Sequence, residues 1–342
     1  MPDTQHITLK QKVLQDTFGR KITYLRLSVT DRCDLRCTYC MAENMSFLPK
    51  SEVLSLEEML SLSRIFMERG VRRIRLSGGE PLVRKNIIWL FEHLGAEISA
   101  GNLDELTLTT NGTQLRQMAK PLYDAGVRRI NISLDTLDPV LFKKITRRDQ
   151  LSIVLDGIEA ALSAGLAVKI NTVAVKGIND AEIASLLQWT QNKGLDLTLI
   201  ETMPLGTVSD AREDTYMPLS VVKDQLDQQF TLAPSAYRTG GPARYFTVNG
   251  GTNKLGLITP LTNNFCDGCN RMRVTCTGRI YMCLGQDNHV DLRTALRSDT
   301  PTESLNACID KALGEKPRRH DFAMTDGKMQ GKISRPMSQT GG

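Results

Sequence analysis

The chain has 342 residues, of which 41% are hydrophobic and 24% are charged, and its net charge is +5 at pH 7. This length and composition predict a globular protein of about two domains with a sizeable core. The mild charge, without a dense basic stripe, argues against nucleic-acid binding, and the lack of any apolar run of about 18 residues argues against a membrane span.

The first residues of the chain contain no apolar stretch long enough for a signal peptide, so we expect a cytoplasmic protein. Eight cysteines are present. Structural disulfides are rare in the reducing cytosol, where clustered cysteines more often bind metal or take part in catalysis. The clusters are therefore the first candidates for a functional site.

Strand-like and helix-like segments alternate through the first two thirds of the chain. Such alternation implies parallel βαβ units. Six of these units make an incomplete (β/α)6 barrel of the TIM type, an α/β fold whose site lies at the carboxyl ends of the strands. The predicted strands are 22–29, 71–77, 105–110, 127–135, 166–175 and 195–203, and the predicted helices include 55–70, 151–165 and 181–194.

The pattern changes after about residue 205. One more helix is predicted at 221–230, and 231–285 contains short apolar runs broken by Gly, Asn and Pro, which indicates a small β-rich extension. We therefore divide the chain into a partial barrel, 17–236, and a C-terminal β-containing extension, 237–342. Each part carries one cluster of cysteines.

Three cysteines, Cys33, Cys37 and Cys40, follow the first predicted strand in the sequence CDLRCTYC. A structural zinc site normally takes four protein ligands, and none of the four histidines lies nearby in the sequence. A [4Fe–4S] cluster takes one cysteine per iron, so three cysteines leave one iron open. The spacing therefore favours a catalytic [4Fe–4S] cluster over zinc.

The spacing CxxxCxxC, with Tyr39 before the last cysteine, resembles that of the radical S-adenosylmethionine (SAM) enzymes, and so does the glycine-rich turn SGGEP at 77–81. The resemblance implies that the open iron binds SAM, and that an electron from the cluster cleaves SAM to methionine and a 5′-deoxyadenosyl radical. It makes the three cysteines catalytic. The residues that it places at SAM are Tyr39, Gly78, Gly79, Glu80, Asn111, Ser133 and Met203.

A second set of three cysteines, Cys266, Cys269 and Cys283, lies in the predicted extension. A zinc knuckle completed by Cys276 or His289 is an alternative. However, Cys276 lies in the middle of the intervening segment, where RVTCTGRIYM predicts a hairpin turn. This placement favours a second three-cysteine site.

Two arginines, Arg271 and Arg273, stand between the second and third of these cysteines in the sequence NRMR. In an extended chain both side chains project from the same face. Two fixed guanidinium groups beside a metal site indicate an anionic ligand, and their bidentate geometry suits phosphate.

The whole set of motifs resembles the GTP 3′,8-cyclase family of molybdenum cofactor biosynthesis. The resemblance covers nearly the whole chain and includes LSGGEPLVR, LTTNG, GPARYF and FCDGCNRMRV. It implies that the second set of cysteines holds a second [4Fe–4S] cluster that binds GTP, and that the Gly341-Gly342 tail reaches into the site. The residues that it places at GTP are Arg26, Arg73, Arg75, Thr109, Lys169, Arg271 and Arg273.

One position departs from the family pattern. Many members carry an arginine in the last barrel strand, where this chain has Thr198. One phosphate-binding arginine is therefore missing or supplied from elsewhere, and Arg238 and Arg244 are candidates.

The resemblance also implies a reaction and partners. The radical would abstract H3′ of GTP, and C3′ would then bond to C8 to give (8S)-3′,8-cyclo-7,8-dihydroguanosine 5′-triphosphate. The implied partners are an electron donor of the flavodoxin or ferredoxin type, a downstream pyranopterin synthase that accepts the product, and a second copy of the chain in a homodimer. Two alternatives stay open: a peptide-modifying radical SAM enzyme, and a zinc-stabilised nucleotide- or nucleic-acid-binding module without catalysis.

Overall fold

A computed structural model describes residues 13–206, 213–326 and 328–341. The strands in these ranges are β1 (Tyr24–Ser28), β2 (Arg73–Ser77), β3 (Glu105–Thr110), β4 (Arg129–Ser133), β5 (Ala167–Ala174), β6 (Asp196–Glu201), β7 (Leu232–Pro234), β8 (Arg244–Val248), β9 (Lys254–Ile258), β10 (Arg271–Val274), β11 (Arg279–Tyr281), β12 (His289–Asp291), β13 (Ala323–Thr325) and β14 (Lys328–Gln330). The α-helices are α1 (Leu56–Glu68), α2 (Ile87–Ser99), α3 (Leu115–Asp124), α4 (Pro139–Thr146), α5 (Leu151–Ser163), α6 (Ile183–Asn192), α7 (Leu219–Leu226), α8 (Arg293–Leu296), α9 (Pro301–Gly314) and α10 (Met337–Thr340).

Twelve of these strands form one sheet, in the order β12-β11-β10-β1-β2-β3-β4-β5-β6-β9-β8-β7. The strands from β1 to β6 lie side by side in chain order and are all parallel. This arrangement confirms the predicted incomplete barrel with a β-containing extension. Antiparallel pairs occur towards the two edges of the sheet.

Side-chain alternation along the strands separates an apolar face from a polar one. On β1, Leu25 and Leu27 are fully buried in a core that also contains Phe66 of α1. Arg26 lies between them in sequence and therefore projects from the opposite face, towards the barrel interior. The same alternation on β2 places Arg75 in the interior. The strands thus carry charge into the barrel while their other face packs against the helices.

The predicted capping box is present at the start of α1. Ser55 Oγ accepts a hydrogen bond from Glu58 N at 3.1 Å, and Glu58 Oε2 accepts one from Ser55 N at 2.7 Å. Gly70 follows the helix with a φ of 98°, a left-handed conformation that glycine adopts at little cost. The local sequence therefore fixes both ends of this helix.

Helix α4 was not predicted from the sequence. Its start is fixed by Asp138, whose side chain accepts a hydrogen bond from Leu141 N at 2.6 Å, and by Pro139 in the first turn. None of the helices in the described ranges has the length and apolar character that a bilayer span requires.

The extension continues the barrel sheet on both sides. Strand β9 adds parallel to β6, and β10 adds parallel to β1, so that eight neighbouring strands run in one direction. The predicted boundary at residue 236 falls between β7 and β8, which pair with each other. The division into two domains remains a prediction.

The chain returns to the barrel in its last described residues. Ile333 pairs with Leu205 just beyond β6, with hydrogen bonds from Ile333 N to Pro204 O at 2.9 Å and from Gly206 N to Ile333 O at 2.7 Å. Arg335 is buried and donates to Leu284 O at 2.9 Å. The segment 331–341 therefore connects the β6 side of the barrel to the β11 side.

Candidate active site

A cavity of about 450 Å³ opens at the carboxyl ends of the central strands. Its wall comes from the carboxyl ends of the six strands β1 to β6 and the loops that follow them, as the parallel barrel predicts. Many of the predicted site residues meet there although they are far apart in the sequence. Those that line it are Cys33, Cys37, Tyr39, Cys40, Gly78, Gly79, Thr109, Asn111, Ser133 and Met203.

The first triad, Cys33, Cys37 and Cys40, lies on the loop that follows β1. All three thiols are free of disulfides, and the Cys40 N–H donates to Cys37 O at 2.9 Å in a tight turn. Burial, together with the Glu80 carboxylate, raises the pKa of Cys33 to about 12, and burial also raises the pKa of Cys37. Buried thiols with such pKa values become thiolates readily only when a cation or a metal compensates their charge.

Helix α4 supports this loop from outside. Arg36 N donates to Thr146 O, and Thr38 N donates to Ile145 O, both at 2.9 Å. These bonds fasten the backbone on either side of Cys37 to the last turn of α4. A segment that the sequence analysis missed therefore helps to hold the first triad in place.

The two glycines of SGGEP, which line the cavity, also allow two loops to pack closely. A Cβ on Gly78 would lie 2.4 Å from Thr30 O, and a Cβ on Gly79 would lie 2.3 Å from Arg32 O. The glycines therefore allow this turn to pack against the loop that leads into the first triad. Gly79 N donates to Thr30 O at 2.8 Å and fixes that contact.

Glu80 lies behind the cavity wall rather than in it. The side chain is fully buried, and its carboxylate accepts hydrogen bonds from Leu82 N at 3.0 Å, Thr110 Oγ1 at 2.8 Å and Asn111 N at 2.6 Å. Burial raises its pKa to about 7. These three donors tie the β2 turn to the end of β3, where the Asn111 side-chain amide donates to Cys33 Sγ at 3.7 Å.

Tyr39 has a partner that the sequence analysis missed. Its hydroxyl donates to Asp135 Oδ2 at 2.6 Å, while Asp135 Oδ1 accepts from Val173 N at 2.9 Å. Burial raises the pKa of Asp135 to about 6. Asp135 is the last residue of the fourth predicted strand, 127–135, and lies just beyond the observed β4, so its position at a strand end was the available signal.

Three arginines lie side by side on the interior face of neighbouring strands. Arg26 of β1 pairs in register with Arg273 of β10 on one side and with Arg75 of β2 on the other. We call these three residues the arginine row. Two residues back along the same strands, Arg271 and Arg73 lie on either side of Tyr24. The sheet thus gathers five predicted cations on one wall.

The arginine row is set up for an anion. Burial, followed by repulsion from Arg273 and Arg75, lowers the pKa of Arg26 well below its usual value, and burial and Arg271 lower the pKa of Arg273 to about 10. Arg26 Nε has no hydrogen-bond partner within the described part of the chain. Arg273 donates to Gly341 O at 3.1 Å. Buried cations that repel one another are stabilised by a shared anionic ligand.

The Gly341 contact brings the end of the described chain into the barrel, as the sequence analysis expected for the Gly-Gly tail. A Cβ on Gly341 would lie 2.0 Å from Ser77 Oγ, so only glycine fits there. Gly342, the other half of that prediction, lies outside the described residues.

Lys169 is buried on β5, and its ammonium group bonds to the hydroxyl of Tyr245 at 3.2 Å. The Tyr245 hydroxyl also contacts Thr239 Oγ1 at 3.2 Å. Burial, then repulsion from Arg75 and Arg129, lowers the pKa of Lys169 to about 7. Because this pKa lies near neutral pH, a bound anion would favour the charged form of Lys169.

Thr198 is fully buried on β6, between Asn171 of β5 and Gly256 of β9. A Cβ on Gly256 would lie 2.9 Å from Thr198 Oγ1 and 3.0 Å from the Tyr245 ring. The tyrosine therefore fills the space beside this position. Arg238 and Arg244 were the candidates to replace the arginine missing at position 198. Both are exposed, so neither takes its place beside the buried Thr198.

The second triad, Cys266, Cys269 and Cys283, lies at the other end of the same wall. Cys266 and Cys269 precede β10, and Cys283 follows β11, which runs antiparallel to β10. Since β10 is parallel to β1, these cysteines lie near the amino end of β1, whereas the first triad follows its carboxyl end. Strand β1 alone spans about 13 Å between Tyr24 and Ser28.

Both triads have the donor chemistry that iron–sulfur clusters require, since none of the six cysteines forms a disulfide. At the second triad the buried Lys316 ammonium lies 3.7 Å from Cys269 Sγ, a contact that suits a thiolate. No group of three or more His, Cys, Asp or Glu side chains in the described ranges is arranged for a single metal ion. Cys276 lies beyond the carboxyl end of β10, at the opposite end of that strand from the second triad.

Comparisons with known proteins give the chain its family. Residues 27–190 match the radical SAM superfamily, and residues 195–322 match the family described as Molybdenum Cofactor Synthesis C. The chain is 59% identical over 327 residues to a GTP 3′,8-cyclase of Rhizobium meliloti. This alignment covers 96% of this chain and 94% of the relative. A GTP 3′,8-cyclase of Brucella canis is 57% identical, covering 96% of this chain and 95% of that relative.

Solved structures agree on the fold. SuiB of Streptococcus suis superposes with a TM-score of 0.61 at 15% identity, covering 86% of this chain and 66% of SuiB. At this identity the similarity concerns the fold alone. The level and coverage of sequence identity to the cyclases are decisive, and the chain belongs to the GTP 3′,8-cyclase family of the radical SAM superfamily.

Proposed function

We propose that the chain binds SAM at the first triad and GTP between the two triads, and that it is a lyase of molybdenum cofactor biosynthesis that cyclises GTP to (8S)-3′,8-cyclo-7,8-dihydroguanosine 5′-triphosphate. One observation carries the proposal: the two triads lie at opposite ends of one barrel wall, with the arginine row between them. A nucleotide triphosphate bound along this wall would reach both ends. Its phosphates would meet the cations of the wall.

When bound, SAM and the two [4Fe–4S] clusters supply an electron, the 5′-deoxyadenosyl radical and a metal site for the substrate. The residues of the chain bind and orient. We assign SAM contacts to the cavity residues Tyr39, Gly78, Gly79, Asn111, Ser133 and Met203. Glu80 acts on SAM only through the Asn111 and Thr110 contacts that it fixes.

The GTP contacts follow from the charged wall. The arginine row, flanked by Arg73 and Arg271, offsets the negative charge of the triphosphate, and Lys169 and Thr109 complete the site. These cations are held in place before the ligand arrives, so little reorganisation is needed during the reaction. Fixing the ribose is valuable, because a primary radical attacks the nearest C–H bond.

The partners and location follow the same reasoning. We propose an electron donor of the flavodoxin or ferredoxin type, a pyranopterin synthase as acceptor of the product, a homodimer and a cytoplasmic location.

The test of the proposed function is anaerobic reconstitution followed by addition of SAM and a strong reductant. We expect 5′-deoxyadenosine to rise sharply with GTP but not with ATP. The nucleotide product should be an isomer of GTP, since the hydrogen atom lost to 5′-deoxyadenosine is replaced by one electron and one proton. Formation of 5′-deoxyadenosine that ignores GTP would contradict the proposed substrate.

Replacing the centre of the arginine row tests the phosphate assignment. In Arg26→Met we expect the KM for GTP to rise by about 10- to 100-fold, because a charge-assisted hydrogen bond contributes about 1.5–3 kcal/mol. SAM cleavage without GTP should be unchanged. Since Arg26 is buried between two like charges, the melting temperature should not fall.

The matched control is Arg244→Met, which removes an exposed arginine from β8. A normal KM in Arg26→Met, or an equal rise in Arg244→Met, would contradict the assignment. Steady-state measurements over a range of GTP concentrations decide between these outcomes.

Lys169 makes GTP binding dependent on pH. With a pKa of about 7 in the free protein, it is mostly uncharged at pH 8. A bound triphosphate favours the charged form and raises this pKa, so GTP binding at pH 8 should take up a proton. Calorimetry in two buffers with different ionisation enthalpies measures that uptake. We expect it to be absent in Lys169→Met and normal in Lys176→Met, which changes an exposed lysine beyond the same strand. Equal uptake in all three proteins would contradict this role.

A further inference from the structure

Lys316 is a buried cation that the sequence analysis did not single out. The residue is 3% exposed, and its ammonium group makes three contacts. It donates to Cys269 Sγ at 3.7 Å, to Arg271 O at 3.0 Å and to Met282 O at 2.5 Å. All three acceptors belong to the two chain segments that carry the second triad.

These contacts connect segments that are separate in the sequence. Arg271 begins β10 two residues after Cys269, and Met282 immediately precedes Cys283. Lys316 follows α9, so it enters the site from a third element. One ammonium group therefore joins the segment of Cys269 to that of Cys283. Arg20 supports the same region from outside through Cys266 O at 2.8 Å.

The charge of Lys316 suits a cluster that is held by three thiolates. An oxidised [4Fe–4S] core with three thiolates carries one net negative charge, and its reduced form carries two. A buried ammonium group needs such a partner, because burial alone disfavours its charged form.

The sulfur atoms of the first triad have different surroundings. The charged side chains that act on the thiols of Cys33 and Cys37 are the carboxylates Asp34, Glu80 and Asp135, while the Arg36 guanidinium donates to the backbone oxygen of Cys33 at 2.5 Å. Cys33 Sγ accepts a hydrogen bond from the neutral amide of Asn111 at 3.7 Å and lies 4.0 Å from Asp34 Oδ1. An ammonium group therefore contacts a sulfur atom of the second triad, whereas an amide and a carboxylate contact a sulfur atom of the first.

We propose that Lys316 is a positioning residue of the second cluster, which holds Cys269 and Cys283 in place and raises the reduction potential of that cluster through its positive charge. A nearby cation stabilises the more negative, reduced form more than the oxidised form, and hydrogen bonds to ligand sulfur act in the same direction. The two clusters then have different potentials, with the second easier to reduce. This inference rests on the proposed function, since it requires a cluster at the second triad.

The test is a potentiometric titration followed by electron paramagnetic resonance on the anaerobically reconstituted full chain. The background Cys33→Ala, Cys37→Ala, Cys40→Ala removes the signal of the first cluster. Lys316→Met and Lys316→Gln remove the charge, and Lys316→Arg keeps it. The matched control is Lys311→Met, which changes an exposed lysine on α9.

We expect both neutral variants to shift the potential to more negative values, by a tenfold or larger change in the ratio of reduced to oxidised cluster, or about 59 mV for one electron. Lys316→Arg and Lys311→Met should stay close to the parent protein. A neutral variant that holds its iron and titrates at the parent potential overturns the proposal.

Loss of the cluster is also informative. If both neutral variants lose the iron of the second triad while Lys316→Arg keeps it, the charge is required for assembly, which supports the proposal. If Lys316→Arg loses it too, shape rather than charge is responsible, and the proposal is overturned. Failure of the proposed function is a separate result: Lys311→Met and its parent would then bind no iron at the second triad.

Discussion

Cys37→Ala is expected to abolish SAM cleavage. The first triad offers only three thiolates, and loss of one leaves too few ligands for a cluster with a single open iron. Formation of 5′-deoxyadenosine should fall by about a thousandfold or more, because the radical chemistry belongs entirely to the cofactor. Iron content should fall from about eight to about four per chain. Both quantities are measured on anaerobically reconstituted protein.

Cys308→Ala is the matched control for this substitution. Cys308 is a half-buried cysteine on α9 that belongs to neither triad. It should retain iron content and SAM cleavage. Substantial 5′-deoxyadenosine from Cys37→Ala, at normal iron content, would contradict the catalytic assignment of the first triad.

Cys269→Ala should separate the two halves of the reaction. The first triad is untouched, so some SAM cleavage should persist, uncoupled from GTP. Cyclised GTP should fall by about a hundredfold or more, because the second cluster no longer orients the substrate and correct orientation supplies much of such a rate. Chromatography of the nucleotides and of 5′-deoxyadenosine from the same reaction gives both yields.

Normal amounts of cyclised GTP from Cys269→Ala would show that the second cluster has no role in substrate binding. Cys276→Ala serves as the control for cysteine loss in the same segment, because Cys276 is buried at the far end of β10 from the second triad. It should keep both activities. Parallel loss in both variants would point to general damage of the extension.

The barrel could be predicted because its strands are locally encoded. Alternating apolar residues mark each βα unit within about 30 residues, and the capping box at Ser55 marks the start of α1. The same local reasoning placed the first triad after β1 and the glycine-rich turn after β2. Helix α4 carried a comparable signal in Asp138-Pro139, but it is short and follows a loop, so its pattern spans barely two turns.

The candidate site depended more on distant pairing, which local patterns do not contain. Arg26 and Arg273 are 247 positions apart in the sequence, yet strand register makes them neighbours. Nothing in the sequence gives that register, because it results from the packing of β10 against the edge of the barrel. The contact of Lys316 could not be predicted for the same reason. Lys316 follows α9, and only the tertiary structure shows that it contacts Cys269.

The second triad was recognisable as a motif, but its position was not. The sequence predicted a small β-rich unit, whereas β9 and β10 extend the barrel sheet itself. The extension joins the sheet because β1 and β6 would otherwise be its edge strands. Strands from later in the chain form hydrogen bonds with the backbone groups that β1 and β6 would leave unpaired.

Strand β1 acts as a spacer between two chemical centres, and this restricts how the gene can change. One inserted residue would lengthen the strand by about 3.3 Å and turn Arg26 from the interior to the helix-covered face. Both errors would arise from a single codon. We therefore expect homologous proteins to have no insertions or deletions between residues 20 and 33, although their surface loops vary in length.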